Sequence, residues 1–115
     1  MNIPEAEMGK GPILMLNLLK FNNRQHYFEK YIPAFNEVVS LLGIQGVKVA
    51  MVSKVIASII TTEGESWDEV AMIEYPDAAA FKTIAESQEY HTIAEAHRLH
   101  ALADLKLLMT RRYEL

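Results

Sequence analysis

The chain lacks cysteine altogether among its 115 residues. Disulfide bonds, thiolate metal sites and cysteine nucleophiles are therefore excluded together. Positive charge is also scarce, because 11 lysines and arginines stand against 15 aspartates and glutamates, for a formal net charge of −4. The pair Arg111–Arg112 is too short to form the basic stripe that holds a phosphate backbone. We expect no nucleic-acid partner.

Long apolar runs are missing as well. The richest stretches, Ile13 to Leu16 and residues 47–60, fall short of the roughly 20 residues that a membrane-spanning helix needs. The first seven residues are acidic and lack the apolar core of a signal peptide. We therefore expect a cytoplasmic protein with no membrane contact.

Phosphate loops, dinucleotide fingerprints, zinc-protease motifs and nucleophile elbows do not occur in the sequence. The five glycines are scattered at turn positions instead of clustering around a phosphate. These observations predict a protein that uses no cofactor.

Hydrophobic residues make up 50% of the chain and charged residues 23%, which is typical of one globular domain at this length. Residues 1–11 contain Pro4, Gly9 and Gly11 and are predicted to form a loose leader, so that the domain comprises residues 12–115. A domain this small leaves much of its apolar surface uncovered. Homodimerisation is therefore expected.

The hydrophobic periodicity predicts strands and helices in the order β-α-β-β-α-β. Asn22 or Asn23 caps the first helix, and Pro33 is expected to kink it. Pro76 ends a strand and Asp77 caps the next helix. The predicted strands cover residues 13–21, 47–62, 67–75 and 105–111, and the predicted helices cover residues 24–42, 78–85 and 88–102.

This order is that of the ferredoxin-like α+β fold, a four-stranded antiparallel sheet with its helices on one face. The first strand is apolar on both of its faces, since Leu14, Leu16 and Leu18 make one face uniformly aliphatic. A partner sheet is the simplest cover for the face without helices. The sequence thus predicts a dimeric α/β barrel.

Two segments carry a resemblance to a known family. The strand and turn Trp67 to Asp77, followed by an alanine-rich helix and Ser87-Gln88-Glu89-Tyr90, resemble the uncharacterised DUF1330 group of the dimeric α/β-barrel superfamily. Gln88 replaces the family's proline, and His97 stands where many relatives carry arginine, with Arg98 one step later. The resemblance implies the fold and the dimer, but it brings no activity. The wider superfamily includes cofactor-free monooxygenases, haem-degrading enzymes and isomerases.

Asn17 and Glu74 are candidate site residues because they are polar positions in otherwise apolar strands. The two strands are neighbours in this fold, so we expect the two side chains to meet. A carboxylate in an apolar barrel has a raised pKa and can act as a general base, while an asparagine orients a substrate oxygen. The alternative is that both side chains bond to backbone or water.

His97 is a second candidate base, and it lies three residues from His100 on a helix. The pair suggests haem or metal binding as an alternative, but no third ligand is apparent and no metal site is assigned. The alternative is that both histidines are solvated side chains on the helix surface, since these would show the same spacing.

Tyr31, Trp67 and Tyr90 are candidates for the walls of a ligand pocket, because aromatic rings with a polar atom suit amphipathic ligands. Arg98 is the candidate anion anchor that the resemblance implies. Core packing of the aromatic rings and an intersubunit salt bridge for Arg98 are the alternatives.

Two functions stay open at this point. One is a small-molecule-binding homodimer that acts as a cofactor-independent enzyme of monooxygenase or isomerase type, with Glu74 or His97 as the base. The other is a non-catalytic ligand-binding or structural dimer.

Overall fold

The computed structural model describes residues 1–115 and confirms the β-α-β-β-α-β order. The helical layer comprises two segments: the helices of the first follow one another directly, and the extended residue Ser87 divides the second. The strands are β1 (Ile13–Phe21), β2 (Lys48–Lys54), β3 (Glu69–Tyr75) and β4 (Leu102–Thr110); the helices are α1 (Arg24–His26), α2 (Ile32–Leu41), α3 (Ala78–Glu86) and α4 (Glu95–Ala101).

The four strands form one sheet in the order β2-β3-β1-β4, and every pairing is antiparallel. The ferredoxin-like fold class is thereby confirmed. Asn23 accepts a hydrogen bond from the amide of His26, and Asp77 accepts one from that of Ala80, so both predicted N-caps form. No helix is long and apolar enough to cross a membrane.

The core lies between the sheet and the helices. Side chains alternate along β1, so that Ile13, Met15 and Leu19 face the helical layer and are almost fully buried. Val38 and Ile84 pack in one cluster with Ile13 and Met15, and Leu19 belongs to a second cluster with Tyr27. The helices cover only this face of the sheet. The opposite face carries Leu14, Leu16 and Leu18 in β1 and is not covered by any element of the same chain.

Both helical segments contain a π-turn. In the first, Tyr27–Tyr31, the amide of Ile32 donates to the carbonyl of Tyr27. In the second, Tyr90–Ala94, the amide of Glu95 donates to the carbonyl of Tyr90. The predicted interruption at Pro33 is explained here, because proline has no N–H to continue the regular ladder, and the wider π-turn directly precedes it.

The second strand is shorter than predicted. β2 ends at Lys54, which pairs with Glu69 at the start of β3. Beyond this pair one hydrogen bond, from the amide of Val55 to the carbonyl of Asp68, follows, and residues 55–62 lie outside the sheet. β4 begins at Leu102, three residues before the predicted start, since Asp104 continues the strand instead of preceding it.

The first eleven residues contain one short 3-10 helix, Glu5–Glu7. Ile3 and Met8 pack against the core, and the amide of Ala79 donates to the carbonyl of Met8 at 3.3 Å. Arg111 also donates to Glu7 at 2.6 Å. These contacts bring the segment against the start of α3 and the end of β4.

Candidate functional site

A cleft of about 230 Å³ opens between the helix-facing side of the sheet and the two helical segments. Its walls are mostly apolar: Phe35, Tyr75, Phe81, Ile84, Leu105 and Leu107. A few polar side chains converge on the same space: Asn17, Tyr31, Tyr90, His91, Glu95 and Arg98. An apolar cavity with a small set of polar groups is the usual form of a small-molecule site.

Asn17 forms part of the floor of the cleft from the middle of β1. Its amide nitrogen Nδ2 donates to the carbonyl of Met15 at 3.0 Å and to that of Ala71 at 3.4 Å. Both amide hydrogens are therefore donated to backbone carbonyls of the sheet. The carbonyl oxygen Oδ1 is left as the acceptor that Asn17 presents to other groups.

Tyr31 and Tyr90 meet across the cleft, with their hydroxyl oxygens 2.9 Å apart. Each residue belongs to one of the two π-turns, so the local widening of both helices sets this contact. One hydroxyl donates to the other, which leaves the proton of the second free to donate to a bound molecule.

Burial raises the pKa of both hydroxyls, that of Tyr31 well above its ordinary value. The Tyr31 hydrogen bond and the nearby charge of Arg98 partly oppose the rise in the pKa of Tyr90. The pair is therefore protonated at neutral pH and serves as a hydrogen-bond donor, not as a base.

Arg98 lies beside this pair, with its guanidinium carbon 5.9 Å from the centre of the Tyr90 ring. The guanidinium forms no ion pair within the chain, unlike Arg24, which pairs with Glu69 at 3.0 Å. A guanidinium without a direct ion pair, next to hydroxyl donors, is a suitable partner for a carboxylate or another anion.

His91 and Glu95 occupy the same side of the cleft, one helical turn apart. His91 Nδ1 lies 2.5 Å from Glu95 Oε2. This hydrogen bond lowers the pKa of the Glu95 carboxyl below its ordinary value, so the group is ionised at neutral pH. Neither residue was predicted to be a site residue, although a histidine and a glutamate four residues apart on a helix are a readable signal.

Glu74 lies away from the cleft. It pairs in register with Leu14 on the open face of the sheet, whereas Asn17 pairs with Ala71 and faces the helices. Leu14, the partner of Glu74, is three residues from Asn17 on β1, and strand residues an odd number of positions apart point to opposite faces. The expected contact between Asn17 and Glu74 therefore does not form. Glu74 instead forms an ion pair with Lys48 at 3.2 Å.

His97 also lies outside the cleft. Its Nδ1 is 2.9 Å from Nε2 of His26, and the ring of His100 is 4.4 Å from that of His26. Partial desolvation, followed by the charges of His100 and His97, lowers the pKa of His26. No group of three or more histidine, aspartate or glutamate side chains is arranged to hold a metal ion.

Trp67 is the third predicted site residue outside the cleft. Its indole N–H donates to Glu65 Oε2 at 2.9 Å, and Lys106 donates to the same oxygen at 3.0 Å. The Trp67 and Lys106 hydrogen bonds lower the pKa of Glu65 to about 2. Trp67 thus belongs to a polar cluster that ties the loop before β3 to β4.

Solved structures support the fold and leave the activity open. The RPA0582 protein of Rhodopseudomonas palustris, described as of unknown function, is 27% identical over 96% of this chain and 88% of its own, with a TM-score of 0.78. A DABB family protein from Mesorhizobium loti with a ferredoxin-like fold is 13% identical over 90% of this chain and 99% of its own, with a TM-score of 0.56. A dimeric ferredoxin-like protein of unknown function from Thermobifida fusca is 12% identical over 94% of this chain and 97% of its own, with a TM-score of 0.52.

No protein-family model matches the chain, and no curated protein does. The class that fold and comparisons together define is a ferredoxin-like α+β protein whose solved relatives include dimers and proteins of unknown function.

The buried tyrosines predict a loss of stability in alkaline solution. Burial raises the pKa of Tyr27 to about 12 in the folded chain, against about 10 in an unfolded chain. Stability is therefore fully present below pH 10 and falls as pH rises toward 12, by up to ~1.4 kcal/mol per pH unit for this group. Urea unfolding between pH 8 and 11.5 measures the slope.

Tyr27→Phe should flatten this alkaline slope, because phenylalanine has no proton to lose. Tyr113→Phe is the matched control, since the Tyr113 ring is exposed, and it should keep the slope of the unsubstituted protein. Equal slopes for the unsubstituted protein and Tyr27→Phe would contradict the burial argument.

Proposed function

We propose that the chain is a homodimer that binds a small organic molecule in the cleft between sheet and helices. One observation carries the proposal: four residues predicted from sequence to line a pocket, Asn17, Tyr31, Tyr90 and Arg98, line the same cavity. They come from β1, both π-turns and α4, so the fold and not the sequence spacing brings them together.

The chemistry of the lining defines the ligand. The apolar walls favour a ring or a short aliphatic body, while Arg98 and the spare hydroxyl proton of the tyrosine pair favour an anionic oxygen. The volume lies below the roughly 300–1,000 Å³ of pockets for drug-sized ligands. A compound of about one ring with a carboxylate satisfies all three conditions.

Membership in the DUF1330 group and a cytoplasmic location are parts of this proposal. The motif Ser87 to Tyr90 supports the first. Within this fold the tyrosine of that motif supplies one of the two paired hydroxyls, which gives the motif a role in the cleft.

Benzoate and its neutral analogue benzamide test the ligand class. Arg98→Met should weaken benzoate binding about tenfold or more, because a hydrogen bond to a charged group contributes roughly 1.5–3 kcal/mol, and should leave benzamide binding within about twofold. Protein-observed NMR titration measures both affinities and shows which residues respond.

Arg112→Met is the matched control, since Arg112 lies at the other end of the sheet and should leave both affinities unchanged. Benzoate binding that is insensitive to Arg98→Met, or that perturbs residues away from Asn17 and Tyr31, would refute the proposed cleft.

The open face of the sheet supports the homodimer. Leu16 pairs in register with Met72 of β3 and with Leu108 of β4, so the three side chains form an apolar band across its centre. Leu108 is 52% exposed in the single chain, and Met51 of β2 is 44% exposed. A second copy placed sheet against sheet would cover this band.

The segment after β2 adds to the uncovered apolar surface. Ile56, Ile59 and Ile60 are exposed by 91%, 86% and 92%, although β-branched residues favour strands. The segment continues directly from edge strand β2, so a second chain docked on the sheet would lie within its reach. The single chain offers these isoleucines no partner.

Light scattering at micromolar concentration tests the dimer. The unsubstituted protein should show twice the 13.0 kDa chain mass, and Leu16→Lys should show the single-chain mass, because it places charges face to face in the interface. Leu41→Lys, at an exposed helix position, should stay dimeric. A single-chain mass for the unsubstituted protein would contradict the dimer.

A further inference from the structure

The His91–Glu95 pair gives the cleft a group that can take a proton. His91 belongs to the second π-turn, directly after Tyr90, and Glu95 begins α4. Both side chains line the cleft beside Arg98, which follows Glu95 by three residues on the same helix. The pair therefore lies next to the groups proposed to hold the ligand.

The hydrogen bond fixes the state of the imidazole ring. Glu95 is ionised and can only accept, so the proton of a neutral His91 ring lies on Nδ1. The lone pair then lies on Nε2, which has no hydrogen-bond partner within the chain. A carboxylate that orients a histidine in this way is the arrangement found in general-base catalysis.

We propose that His91 is the general base of this cleft and that the substrate is a carbon acid, a small compound whose C–H bond is acidified by an adjacent carbonyl group. This inference rests on the proposed ligand-binding function. Glu95 is a positioning residue, and the Tyr31–Tyr90 pair holds the carbonyl oxygen of the substrate.

The step balances without a further reactant. His91 Nε2 takes the proton from carbon, the C–H bond breaks, and its electron pair moves into the new C=C bond of an enolate. The negative charge develops on the carbonyl oxygen, where the spare hydroxyl proton and Arg98 stabilise it. In a β,γ-unsaturated carbonyl compound the enolate is conjugated as far as the γ carbon. The protonated ring returns its proton to that carbon, the C=C bond moves to the α,β position and the C=O bond is restored, which completes an isomerisation.

Other candidate bases are less well placed. Glu74 is on the opposite face of the sheet and paired with Lys48, and Nδ1 of His97 is engaged by His26 outside the cleft. A surface ion pair four residues apart on a helix contributes little to stability. The His91 and Glu95 side chains are 50% and 34% exposed, but they share a cavity with hydroxyl and guanidinium donors, which a simple surface pair does not.

The base can be probed with 5-nitrobenzisoxazole, a compact aromatic carbon acid. Removal of the proton on C3 of its isoxazole ring breaks the N–O bond and opens the ring to a coloured nitrile-substituted phenolate. We expect the protein to accelerate this elimination by about 10²-fold over an equal concentration of 4-methylimidazole. His91→Asn should remove at least about tenfold of the rate.

Two further variants separate catalysis from structure. His100→Asn, at an exposed position of the same helix, should keep the full rate. Glu95→Gln should lower the rate and shift His91 to the Nε2–H tautomer in ¹⁵N NMR spectra, because a glutamine amide can donate to Nδ1. A merely structural role of Glu95 would leave the tautomer unchanged.

The 3-methyl analogue has no proton on C3 and cannot undergo the elimination. It therefore separates this inference from the proposed function. Suppose the analogue binds in the cleft but the elimination is not accelerated, or its rate does not change in His91→Asn. Either result would overturn the assignment of His91 as the base and leave the ligand site standing. Failure of both the analogue and benzoate to bind would overturn the ligand site and the base together.

Discussion

The 2.9 Å contact between the hydroxyls of Tyr31 and Tyr90 joins the two halves of the helical layer, and the cleft depends on it. Both hydroxyls are taken from water, so each would incur the cost of an unpaired buried polar group if the other moved away. The contact requires each helical segment to widen by one residue at its π-turn, because a regular helix would rotate the two rings to other positions. The backbone irregularity and the polar pair thus hold one another in place.

The cleft also depends on an unequal division of the sheet. The helices cover one face and leave a space along β1 where Asn17 replaces an apolar side chain. The other face lacks a helical layer and keeps an apolar band with Leu16 at its centre. The proposed ligand binding and the proposed dimerisation therefore use opposite faces, and a substitution on one face should leave the other intact.

The fold could be predicted from the sequence because its signals are local. Asn23 and Asp77 cap the helices as predicted, and the two-faced apolar pattern of β1 indicated both a covered and an open face. The end of β2 could not be predicted in this way, since residues 55–62 have strand-like composition and lack only a partner in β3. Strand length here is set by the neighbouring strand.

The site was predictable residue by residue but not as an assembly. Tyr31, Tyr90 and Arg98 were identified by type and line the cleft, whereas Glu74 and His97, which were also predicted as site residues, lie outside it. The expected contact between Asn17 and Glu74 was wrong because strand neighbours were taken to share a face, and the face depends on register. The π-turns that aim Tyr31 and His91 have no local sequence signature.

A crystal structure of the protein with bound benzoate tests the central claim most directly. The account predicts one ligand per chain, its ring among Phe35, Tyr75 and Phe81 and its carboxylate within hydrogen-bond distance of Arg98 or of the Tyr31–Tyr90 pair. Benzoate bound only outside the cleft, or a cleft closed by side chains of a partner chain, would contradict it.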